Sequence, residues 1–267
     1  MAATDHIPSF ETIRVTLDGD DEERGTLQLH RPDQLNPLST QTLHELEDAA
    51  RWFDRQRNLK VVIVSGAGRA MSSGADLGAF SGDGSADRDG REQGGRMARA
   101  IEEMRAVTIA RIHGWCVGGG FVLASACDLR VAAASTRFVI PEVDIGIPLT
   151  WGAIPRMVRD IGPALTKELV MTCRPFDAAE ARSIGFLNRV VPDDQLIDEV
   201  ESLATTLAGK AKYALLATKA HVNAVTESMV GTGRSWADPD ALGAGFADPE
   251  GRAKAREYLE RRRTRQR

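Results

Sequence analysis

The sequence predicts an α/β protein, with βα units at the front and helices at the back. Three features carry this: short β-branched runs that alternate with period two, apolar residues at helical spacing between them, and a mainly helical pattern beyond Trp151. Thr12 to Leu17 and Gly25 to His30 alternate and read as strands, and Arg31-Pro32-Asp33 breaks the pattern. Ser39 can cap a helix whose apolar face is Leu43, Leu46, Ala50 and Phe53. Lys60 to Ser65 reads as a buried strand ending at the turn Gly66-Ala67-Gly68. Ala79 to Gly95 has the composition of a loop, rich in Gly, Asp and Arg. A helix over Arg96 to Arg105 and a strand over Thr108 to Ile112 follow. Gly118-Gly119-Gly120 opens an apolar run to Ala126, and strands recur at Leu129 to Ala132 and Arg137 to Ile140. Leu196, Val200, Leu203 and Leu207 form one helical stripe. The expected division is a core over 1–208 and a helical C-terminal unit over 209–267. The tail from Gly251 to Arg267 is strongly basic and reads as a solvated helix face or as part of an anion site.

The chain's 267 residues can bury one sizeable core, and 42% hydrophobic against 27% charged residues is a globular balance. A net charge of −4 argues against non-specific nucleic-acid binding. Cys116, Cys127 and Cys173 are widely spaced and odd in number, which suits reduced thiols. No apolar run could span a bilayer, and Met1 to Phe10 lacks a signal-peptide pattern, so a soluble cytoplasmic protein is expected. P-loop, dinucleotide, nucleophile-elbow and zinc patterns are all missing from the sequence. The five histidines, His6, His30, His44, His113 and His221, do not cluster.

The chemistry-bearing stretches are Gly66 to Leu77 (GAGRAMSSGADL), His113 to Gly120 (HGWCVGGG) running on to Cys127-Asp128, and Phe138 to Gly146 (FVIPEVDIG), preceded by Leu29 to Asn36 (LHRPDQLN). Glycine turns before a helix can present free N–H groups, and two of them aimed at one point make an oxyanion hole. Glu142, stiffened by Pro141, adds a carboxylate that can move a proton near a carbonyl.

Taken in order, these four stretches resemble the crotonase (enoyl-CoA hydratase/isomerase) superfamily, from about residue 12 to 195. The resemblance implies a spiral of ββα units with a helical C-terminal trimerisation region, placed here at 209–267, and a homotrimer or a dimer of trimers. It implies an acyl-CoA thioester as substrate, with CoA part of that substrate and no separate cofactor. It implies that the N–H groups of Ala75, just after Gly74, and of Gly119 hold the thioester oxygen as an enolate. Ala70 and Ser72 match the segment whose backbone recognises the adenine of CoA, and Met71 replaces the family's usual Phe. The family's hydratases carry two glutamates. Glu142 matches one, while the other position is Val122, with the same 20-residue spacing between them. A single carboxylate suits enoyl-CoA isomerisation. Hydration by Glu142 alone and a non-catalytic acyl-CoA binder are the alternatives. Thr150 could hold a water or a substrate hydroxyl, and Trp151 either closes one side of the acyl pocket or is a core or subunit-contact residue. Asp76 is expected to brace the turn at Ala75, Asp128 to support the fold, and Asp144 to lie at the surface.

Overall fold

Strand β1 (Ile13–Asp18) pairs antiparallel with β2 (Arg24–Leu29), and from β2 onward the main sheet is parallel. A computed structural model describes residues 6–18, 22–76 and 88–265, with side chains to 261. The sheet runs β1-β2-β3-β4-β6-β9, with β3 at Val61–Gly66, β4 at Val107–Ile112, β6 at Leu129–Ala133 and β9 at Arg189–Val191.

β3 is buried along its whole length because both faces are covered. Val62 and Val64 face the larger core with Leu46, Ala50 and Phe53 of helix α1 (Thr40–Arg55). Val61 and Ile63 face the other way, with Leu196, Val200 and Ala204 of α6 (Leu196–Ala208). The stripe read from the sequence is the face that docks there, with Leu203 and Leu207 partly buried beside it. Ser39 caps α1, its Oγ accepting the Thr42 N–H at 3.2 Å.

A smaller second sheet holds β5 (Trp115–Val117), β7 (Arg137–Val139) and the two-residue β8 (Phe176–Asp177). Parallel bridges from Leu38 to Ala75 and from Ser72 to Cys116 extend its pairing backward along the chain. Thus the four motif stretches stack side by side in chain order, which is how successive ββα turns make a spiral.

One sequence expectation needs correction. Helix α2 spans Arg88–Glu103, so residues 88–95 are helical and not loop, while 79–87 lie outside the described residues. Gln93, Gly94, Met97, Ala98 and Ile101 form its buried face. Beyond α3 (Gly119–Ser125), the chain is mainly helical: α4 (Ala153–Thr172, kinked at Gly162-Pro163), α5 (Ala178–Ser183), α6, α7 (Lys212–Val230), α8 (Asp238–Ala247) and α9 (Pro249–Arg265). The three cysteines are free and buried. Among the described residues, no helix is long and apolar enough to cross a membrane.

Candidate active site

The turn between β3 and Ala75 is held by Asn36. Its side-chain amide donates to the carbonyls of Ala67 at 2.8 Å and Ala70 at 2.9 Å, and its Oδ1 accepts the Arg31 N–H at 2.9 Å. Asn36 is 1% exposed, so these bonds are made away from competing water. Next along the chain, each N–H is taken in turn. Ser72 donates to Trp115, Ser73 to Leu35, Gly74 to the Ser72 Oγ, and Asp76 to Leu38. For Ala75, between them, no acceptor is found among the described residues.

The second turn follows the same logic. Strand pairing of β5 with β7 takes the Gly118 N–H, which donates to Val139 at 2.9 Å. Gly119 is the first residue of α3, so its N–H has no partner inside the helix, and none is found elsewhere among the described residues. The triple glycine is a set of close approaches. A Cβ on Gly118 would lie 2.5 Å from the Glu142 Oε1, one on Gly119 2.5 Å from the Trp151 ring, and one on Gly120 2.6 Å from the Ser72 Cβ. Gly118 also sits at φ 43°, a left-handed conformation that a side chain would strain.

Ala75 and Gly119 line one cavity of about 50 Å³ together with Gly74, Val122, Glu142, Thr150 and Trp151. Ala70 and Ser72 do not line it. The Ser72 N–H and carbonyl are both spent on the bridge to β5, and its Oγ donates to the Asn36 carbonyl at 2.7 Å, so Ser72 builds the turn behind the cavity wall. Asp76 pairs with Arg31 at 3.9 Å. Asp128 accepts from the Thr108 N–H and from Lys219, tying β4 to α7. Asp144 lies in a separate surface hollow with Asp248 and Glu257.

Glu142 is half-buried as a residue, yet its Oε2 is sealed from solvent and has no hydrogen-bond partner among the described residues. Burial in apolar surroundings disfavours the charged form and pushes the carboxyl up to about 7. Val122, 1% exposed, is part of those surroundings. Among the described lining residues Glu142 is the one carboxylate.

Sequence reasoning assigned no role to four residues that shape this region. Leu242 of α8 and Tyr258 of α9 line the cavity from the C-terminal helices, and Asn36 and Arg156 hold its walls. Asn36 stood within a quoted motif. For the other three, helical spacing gave no sign of what they face.

The enoyl-CoA hydratase/isomerase family model matches residues 24–266. The chain is 33% identical over 246 residues to a crotonyl-CoA hydratase of Syntrophomonas wolfei, covering 91% of this chain and 94% of that protein. It is 32% identical over 226 residues to a peroxisomal Δ3,5-Δ2,4-dienoyl-CoA isomerase of Arabidopsis thaliana, covering 79% and 81% of the two chains. A solved enoyl-CoA hydratase from Mycobacterium avium subsp. paratuberculosis superposes with a TM-score of 0.83 at 25% identity, covering 93% of this chain and 99% of that one. The matched family model and these relatives show that the chain belongs to the enoyl-CoA hydratase/isomerase family of the crotonase superfamily.

Proposed function

We propose that the protein isomerises a 3-enoyl-CoA thioester to its 2-enoyl isomer, with Glu142 as sole proton shuttle. The observation that carries this reading is one elevated carboxylate in a cavity whose other described lining residues include no second carboxylate, with Val122 where a second acid would stand. In this mechanism the thioester oxygen accepts the N–H groups of Ala75 and Gly119. Ionised Glu142 takes a proton from the α-carbon, and the electron pair delocalises over the carbonyl and the double bond as a dienolate. The two amides stabilise the negative oxygen, a contribution of about 3–4 kcal/mol per donor. Protonated Glu142 then returns the proton to the γ-carbon, and the double bond moves into conjugation. An elevated pKa suits both halves, because the group must ionise near neutral pH and still be a strong base.

Purified protein should convert a 3-enoyl-CoA, with Glu142→Gln lowering kcat by about 10²-fold or more. Unchanged turnover in that variant would sink the shuttle. Hydration by Glu142 alone is the second reading, favoured by relatives named hydratases and by the Thr150 hydroxyl in the cavity. Loss of crotonyl-CoA absorbance without 3-enoyl conversion would favour it. A trimer or dimer of trimers belongs to the same proposal, supported by apolar side chains that α7 leaves exposed.

A further inference from the structure

We infer that Trp151 limits the substrate to short acyl groups; this rests on the reading that the acyl group enters the cavity beside Glu142. The indole fits between two helices at positions where only glycine leaves room. A Cβ on Gly94 of α2 would lie 2.0 Å from the ring, and one on Gly119 of α3 2.5 Å from it. Trp151 is 8% exposed and its ring is therefore packed rather than hanging in solvent.

The backbone beneath the indole is held as firmly. Trp151 and Gly152 both take left-handed conformations, at φ 61° and 70°. For a bulky residue that is strained, and it persists only where neighbours impose it. Here they do. Arg156, 1% exposed, donates from Nη1 to the carbonyls of Trp151 and Gly152, each at 3.1 Å, while its Nη2 is fixed by Glu102 at 2.5 Å. The Gly152 N–H donates to Asp238 at 2.8 Å. A ring that is wedged between two helices and clamped through its main chain does not readily swing aside for a longer chain.

The space in front of it is small. The cavity measures about 50 Å³, a third of the ~150 Å³ of an engineered apolar cavity that takes up benzene. With the thioester carbonyl at the two amides, that volume suits only a short chain beyond it. Longer chains meet the indole, and overpacking a close-packed wall is unfavourable.

Saturated acyl-CoA esters are inert to a proton shuttle between double-bond positions, so their binding separates fit from chemistry. Titration calorimetry on the wild-type protein with acetyl-, butyryl-, hexanoyl- and octanoyl-CoA should find butyryl-CoA tightest and octanoyl-CoA weaker by about tenfold or more, where each added methylene would ordinarily tighten binding about fourfold. Trp151→Ala should bind octanoyl-CoA at least as tightly as butyryl-CoA. Trp151→Phe, which keeps an aromatic ring in the same place, should lie between. Octanoyl-CoA binding as tightly as butyryl-CoA in the wild type, or a profile unmoved in both variants, overturns the inference and leaves the role of Glu142 standing. The expected profile without 3-enoyl-CoA turnover supports the inference and removes the isomerase reading. Failure of every ester to bind removes both.

Discussion

At Glu142, burial acts unequally on the two protonation states. The unfolded chain's carboxyl titrates near its ordinary value of 4.5, and the folded one at about 7. Between those values the native state holds more protons than the unfolded state, so stability falls as pH rises. The contribution is fully present below pH 4.5 and lost above about 7, a change of up to about 3 kcal/mol. Glu142→Gln cannot ionise. Its melting temperature should therefore exceed that of the wild type at pH 8 and converge on it near pH 4.5. A constant difference across that range would contradict the buried-carboxylate account. Activity should run the opposite way in the wild type, with kcat/KM rising with pH through an inflection near 7 as the base ionises.

Among the elements, the C-terminal helices close the cavity, and their seating is testable at one atom. Gly251 of α9 packs on the turn after Glu142, where a Cβ would lie 2.6 Å from the Gly146 carbonyl and 2.9 Å from that of Gly245. In an exposed helix Gly→Ala stabilises by roughly 0.5–1 kcal/mol. Here Gly251→Ala should do the reverse, speeding hydrogen exchange in α9 and in the 142–146 turn. Slower exchange would show that this contact is slack. The same helix illustrates what the sequence could and could not disclose. The β-branched strands, the Ser39 cap and the Leu196 to Leu207 stripe were legible because local pattern and burial agree. Ala75, Gly119 and Glu142 were singled out through the resemblance of four ordered motifs to a known family, and the structure places all three on one cavity. The first turns of α2 were not legible, because Gly94 and Gly95 read as loop, while Gly94 serves to admit the Trp151 ring. Tyr258 was hidden for a related reason: α9 is polar almost throughout, and its inward contact depends on a helix packing no local pattern announces.

For the whole molecule, the outer face of α7 is the feature that a single chain leaves unresolved. Val222, Val225 and Met229 recur at helical spacing, and they are 58%, 58% and 69% exposed. Side chains of this kind in a row favour contact with another copy of the chain. Sedimentation should give three or six times the mass of one chain, and Val225→Asp should lower it. A wild-type protein that sediments as a single chain would remove the assembly from the proposal.

The amides at Ala75 and Gly119 belong to the main chain, and neither meets an acceptor among the described residues. No side-chain replacement can delete an amide hydrogen other than one to proline. Side chains around these amides, Val122 among them, can therefore be exchanged while both donors stay in place.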